Sequence, residues 1–257
     1  MVITLLKFIL TPLLVAATTL ASRRWGPTVG GWLVGLPITS GPVSVFLFVE
    51  KGKDFAVASA HSTLNGVISV VAFSLAYERT ARKSRWPLAT LAGLMAYFAV
   101  VALFSNASLP LYISSILALG MITLGFKIVP PTSKAVIAPV APAWDLPFRM
   151  IAATTIVVGI TTVSGFLGPQ ISGLLSTFPA SICVMSVFSH YLHGALAVRK
   201  FERGVIAGSY AFAVFFIVVV PTLQVWHPAI AYLVACCCAL AANAVVFRII
   251  SWKQGSV

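Results

Sequence analysis

The chain has 257 residues, of which 60% are hydrophobic and only 9% charged, with a mean hydropathy of +1.02. Soluble domains carry about 25% charged residues, so this composition excludes an ordinary soluble domain and predicts an integral, all-α polytopic membrane protein. The net charge of +12 does not imply a nucleic-acid partner: lysine and arginine orient membrane helices through cytoplasmic loops, and no basic run is interleaved with aromatics for base stacking.

In chain order, the first apolar run, "ITLLKFILTPLLVAATTLAS", is followed by Arg23 and Arg24 rather than preceded by basic residues. That is the reverse of a secretory signal, so the run is expected to stay as a span. A helix needs about 20 predominantly apolar residues to cross the hydrocarbon. By that measure nine transmembrane helices are predicted, near 3–21, 28–49, 56–77, 87–105, 110–129, 150–167, 171–192, 204–221 and 228–249. One side of the membrane then receives Arg23, Arg24, Arg79, Arg82, Lys83, Arg85, Lys127, Lys134, Arg149, Arg199, Lys200, Arg203, Arg248 and Lys253. The other receives Lys7, Lys51 and Lys53. This bias puts the N-terminus outside and the C-terminus in the cytoplasm. Pro130, Pro131, Pro139, Pro142 and Pro147 favour an extended linker between two halves. All four cysteines lie in apolar stretches without metal or redox spacing.

The second and seventh spans each carry a proline near the middle. Set "GPTVGGWLVGLPITSGPVSVFLFVEKG" (26–52) above "GPQISGLLSTFPASICVMSVFSHYLHG" (168–194), at a constant offset of 142. Gly26/Gly168, Pro27/Pro169, Gly31/Gly173, Leu33/Leu175, Pro37/Pro179, Ser44/Ser186, Val45/Val187, Phe46/Phe188 and Gly52/Gly194 are then identical. Thr19/Thr161, Ser22/Ser164, Gly66/Gly208 and Phe73/Phe215 extend the match. Such self-similarity marks an internal repeat of four spans. The first repeat occupies 1–109, a connector helix and Pro-rich loop 110–148, and the second repeat with the tail 149–257. Because five spans precede the second copy, it enters the membrane from the opposite side, giving inverted-topology repeats.

Proline removes a helical hydrogen bond and clashes with the preceding turn. Broken backbone at membrane depth is tolerated where protein or a wet cavity covers it, and inverted-repeat transporters use such breaks to meet substrate. The expected substrate site is therefore Pro37, Thr39, Ser40, Gly41, Thr177, Pro179 and Ser181. The alternative is a pair of packing kinks, with glycines permitting close helix approach.

The acids Glu50, Asp54, Glu78, Asp145 and Glu202 are all expected at span ends or loops, with none at the bilayer centre. Proton-coupled cation exporters need a buried carboxylate, so a neutral or anionic solute is favoured. His61 matches Arg203 under the same offset. The pair reads either as interfacial cations snorkelling to headgroups or as a cationic gate. His190 and His193 share a helix face, but two histidines make a poor metal site; no metal or cofactor is expected.

Gly173, Leu174, Phe178, Pro179, His190, Tyr191 and Gly194 resemble the glycine–leucine, phenylalanine–proline and histidine–tyrosine–glycine pattern of the GlpM-like family of small bacterial inner-membrane proteins. In the first half Leu36 replaces the phenylalanine and Phe48 the histidine. Members of that family are about half this length, so the resemblance implies two fused units in a bacterial cytoplasmic membrane. The resulting expectation is a secondary transporter, with a passive anion channel and an assembly factor or lipid-modifying protein as alternatives. No nucleophile, base and acid converge as an enzyme would need. The expected partners are the lipid bilayer, a small-molecule or ion substrate and, as an option, a second copy in a homodimer.

Overall fold

The computed structural model describes residues 2–37, 40–105, 107, 109–132, 144–164, 174 and 177–255. Among them the chain forms nine helices and no strand: α1 (Val2–Trp25), α2 (Pro27–Val34), α3 (Ser40–Lys51), α4 (Lys53–Ala81), α5 (Trp86–Phe104), α6 (Leu111–Ile128), α7 (Asp145–Ser164), α8 (Ala180–Val225) and α9 (Pro228–Gly255). Proline supplies several starts. Pro27 opens α2, Pro87 lies in the first turn of α5, and Pro228 opens α9, positions where its missing N–H costs nothing. Five helices are long and apolar enough to cross a membrane: α4, α5, α6, α8 and residues Pro228–Val246 of α9. The chain is a helical membrane protein.

Three predicted spans call for comment. The second is split into α2 and α3, with Gly35, Leu36 and Pro37 outside either helix. The seventh and eighth are grouped together as α8, but they are two helices separated by non-helical backbone at Gly194 (φ 76°, ψ −177°). Gly194 divides it into a first arm (180–193) and a second arm (195–225). Gly52, between α3 and α4, has nearly the same conformation (φ 85°, ψ 177°). That region of backbone space is essentially restricted to glycine. A Cβ at either position would meet nothing within 4 Å, so backbone conformation, not space, selects glycine there.

The second arm of α8 and α4 form the interior, with Leu64, Phe73, Tyr77, Phe201, Ile206 and Phe216 almost inaccessible. Helices α5, α6 and α9 lie outside them, burying Ala89, Tyr97, Ala118, Ile122, Ala231 and Ala235 while exposing Leu91, Met95, Ile116, Leu124, Leu233 and Leu240. Such exposed apolar faces suit lipid. Lipid tails are as apolar as leucine, so close packing and internal polar contacts must hold the helices together.

Small residues provide that packing. Helix α2 lies on the second arm of α8, so close that a Cβ on Gly31 would fall 1.9 Å from the Phe201 carbonyl oxygen. One on Gly204 would fall 2.1 Å from the Thr28 carbonyl oxygen. Helix α1 packs on α7 and α2, around Val15, Ala153, Val184 and Phe188.

Asp145 opens α7 and Glu78 lies in the last turn of α4, at helix ends as expected, but both are buried, as is Glu202 on the second arm of α8. Two of them are neutralised by arginine. Asp145 accepts from Arg23 on α1 (2.7 Å) and from Arg149 (2.8 Å). Glu78 accepts from Arg82 (2.7 Å) and from Arg199 on α8 (3.0 Å). Both clusters join residues whose charges the sequence assigns to one membrane face. Lys53, assigned to the other face, donates to the Gln224 carbonyl.

Candidate functional site

At the first break, Gly35 N–H bonds the Gly31 carbonyl (3.0 Å) and Leu36 N–H the Leu33 carbonyl (3.2 Å), closing α2. The chain then passes Pro37, whose carbonyl accepts from Gly41 N–H (2.8 Å) in the first turn of α3. Ser40 and Gly41 are buried and Pro37 half-buried. A Cβ on Gly41 would sit 3.5 Å from the Phe215 ring of α8. One turn along α3, Ser44 is hydrogen-bonded to Tyr232 of α9 (3.0 Å). Thr39 lies outside the described residues.

At the second break, Pro179 precedes α8 with non-helical dihedrals (φ −80°, ψ 51°), and its carbonyl accepts from Cys183 N–H (2.6 Å). Thr177 is buried; its hydroxyl donates to the Leu174 carbonyl (2.6 Å). Tyr97 of α5 donates to the same carbonyl (3.0 Å) and lies 3.4 Å from Thr177 Oγ1. The Phe178 ring meets Tyr97 edge-on at 5.4 Å between centroids. Pro179 is buried and Ser181 half-buried. Gly168, Pro169, Gly173, Leu175, Ser176 and linker residues 133–143 lie outside the described residues.

Each break is covered by protein from the other half of the chain. Gly35 meets Gly208 of α8, where an added Cβ on Gly208 would fall 2.3 Å from the Trp32 carbonyl oxygen and 2.9 Å from Gly35 Cα. Thr177 meets Gly66 of α4, where an added Cβ would fall 2.3 Å from Thr177 Oγ1. A backbone interrupted at bilayer depth requires such cover.

The structure does not bring His61 and Arg203 together. His61 Nε2 contacts Ser114 near the start of α6 (3.0 Å). Arg203 donates to the Phe126 and Val129 carbonyls at its far end and lies over the Phe126 ring at 3.8 Å. Twelve residues of helix, roughly 18 Å, separate Ser114 from Phe126. The two residues contact opposite ends of α6.

Sequence reasoning missed Tyr97, Tyr232 and the Ser186–Glu202 pair. Glu202 is fully buried on the second arm of α8, and its Oε1 lies 2.5 Å from Ser186 Oγ on the first arm. A signal was available. Val198, Phe201, Val205 and Ile206 stand four before, one before, three after and four after Glu202. That spacing puts the acid on or beside an apolar helix face. The adjoining Lys200 and Arg203 hide it by making the stretch read as interfacial. Among the described residues, no group of three His, Cys, Asp or Glu side chains gathers where a metal ion could be held. No family model, curated protein or solved structure matches the chain.

Proposed function

We propose that this chain is a secondary transporter of a small neutral or anionic solute. It is built from two four-helix repeats of inverted topology, 1–109 and 149–257, joined through α6 and the following linker. The observation that carries the reading is an exchanged contact. Gly35 meets Gly208, and Thr177 meets Gly66; the offset of 142 converts 35 into 177 and 66 into 208. Reciprocal exchange of partners is what a two-fold relation between copies requires. The shared conformation of Gly52 and Gly194 supports the same correspondence. So does the bracing of α6 at either end by the equivalent residues His61 and Arg203. With one connector helix between the copies, the two-fold axis lies in the membrane plane.

On this reading the breaks at Pro37 and Pro179 present backbone groups, with the hydroxyls of Ser40, Thr177 and Ser181, to a substrate between the halves. The buried Glu202 removes one sequence-based reason for a neutral or anionic solute. However, Ser186, its partner, stands seven residues beyond Pro179, roughly 10 Å along the arm, so the breaks themselves carry no carboxylate. The same proposal includes kinship with the GlpM-like proteins, a bacterial cytoplasmic membrane location, an outside N-terminus and a cytoplasmic C-terminus.

The test is a thermal-shift screen of neutral and anionic solutes on the purified chain, since specific binding raises apparent stability, followed by counterflow in liposomes. Saturable counterflow, abolished by Gly41→Leu or Ser181→Leu at unchanged melting temperature, supports the proposal. Linear, non-saturable flux would identify a channel, and full activity in both variants would remove the breaks from the site.

A further inference from the structure

Glu202 is the buried acid that arginine does not neutralise. Among the described residues no cation pairs with it, and its Oε2 has no hydrogen-bond partner. A lone carboxylate in an apolar interior is costly unless a proton or cation compensates it. The local donor count identifies which. Ser186 Oγ lies 2.7 Å from the Ile182 carbonyl and 2.5 Å from Glu202 Oε1, but a serine hydroxyl carries one hydrogen. Both contacts close as hydrogen bonds when Ser186 donates to Ile182 and the carboxyl supplies the second proton. Sodium would need several further oxygen ligands beyond Ser186 and Ser74 Oγ, which faces the carboxyl from α4.

We propose that Glu202, seated on Ser186 between α4 and the two arms of α8, binds the proton that couples transport. The coupling role rests on the transporter reading; the proton site itself does not. The groups around it are Tyr77 and Glu78 of α4, Cys183 and His190 of the first arm, and Arg199 one turn away. Glu78 already holds Arg82 and Arg199; Arg203 is engaged with α6. Tyr77 Oη and His190 Nδ1 are likewise buried without partners. The site occurs once, because the offset maps Ser186 onto Ser44 but Glu202 onto Ala60.

Infrared difference spectra of the purified full-length chain, titrated with protons, test the site without a substrate. The expected result is a carboxyl C=O band that titrates in wild type, vanishes in Glu202→Gln, persists in Glu78→Gln and changes frequency in Ser186→Ala. Survival of the band in Glu202→Gln, or no titrating band in wild type, overturns the proposal. Should Glu202→Gln fail to fold, an unaltered band in Ser186→Ala overturns it equally. Stabilisation of wild type by sodium at constant ionic strength, lost in Ser186→Ala, would assign the site to sodium. A titrating Glu202 without solute counterflow would sink the transporter reading and leave the proton site standing.

Discussion

Replacing Gly208 by alanine probes a close backbone contact between the two halves. Both sides of that contact are backbone: the new Cβ would lie 2.3 Å from the Trp32 carbonyl oxygen and 2.9 Å from Gly35 Cα. No rotamer change relieves it, so α2 and the second arm of α8 must move apart by about 1 Å to restore ordinary contact near 3.5 Å. Overpacking of this kind costs about 1–3 kcal/mol, against a helix-propensity gain of up to about 1 kcal/mol from removing a mid-helix glycine. A net loss on the order of 1–2 kcal/mol corresponds to a fall of roughly 2–8 °C in melting temperature for a chain of this size. Two glycines calibrate the scale. Gly66→Ala meets both branches of the Thr177 side chain (Oγ1 at 2.3 Å and Cγ2 at 2.7 Å), which no χ1 rotamer clears, and should cost a comparable amount. Gly120→Ala on α6 meets nothing within 4 Å and should be neutral or stabilising. Melting of the three purified variants in one detergent decides the matter. Gly208→Ala melting at or above Gly120→Ala would refute the proposed packing.

Glu78→Gln would leave Arg82 and Arg199 adjacent without their shared anion; the arginines are 32% and 26% exposed, so a loss of about 1–3 kcal/mol, below the cost at a fully buried pair, is expected by melting. Tyr97→Phe removes the hydroxyl bonded to the Leu174 carbonyl and should cost about 1 kcal/mol, with faster amide exchange at Thr177; unchanged exchange would show that Tyr97 does not hold the second break. Gly52→Ala and Gly194→Ala should each lose about 1–3 kcal/mol from backbone strain alone. Equal melting of either variant and wild type would contradict the dihedrals at those turns.

The apolar runs made most helices legible, because twenty-residue hydrophobicity needs no knowledge of neighbours; α5 and α6 fall within a residue of their expected ends. The break at Pro37 was legible from local backbone chemistry, and the glycines at 52 and 194 from the repeat. The start of the eighth helix directly after Gly194, rather than near residue 204, was not, since Arg199, Lys200, Glu202 and Arg203 make that stretch read as interfacial. The buried acids escaped for the same reason. A charge near a span end reads as solvated until its partner, Arg23 for Asp145 or Arg199 for Glu78, is brought in from another part of the chain. His61 and Arg203 show the converse: equivalence by offset was legible, but spatial separation depended on α6 standing between them.

The inverted relation of the halves is tested most directly by the sidedness of the two glycine turns. In a chain whose four native cysteines are replaced, Lys51→Cys reports the Gly52 turn and Ala195→Cys the Gly194 turn. A membrane-impermeant thiol reagent applied to intact cells should label Lys51→Cys at once and Ala195→Cys only after permeabilisation. Labelling of both from the same side would make the halves parallel and contradict the account.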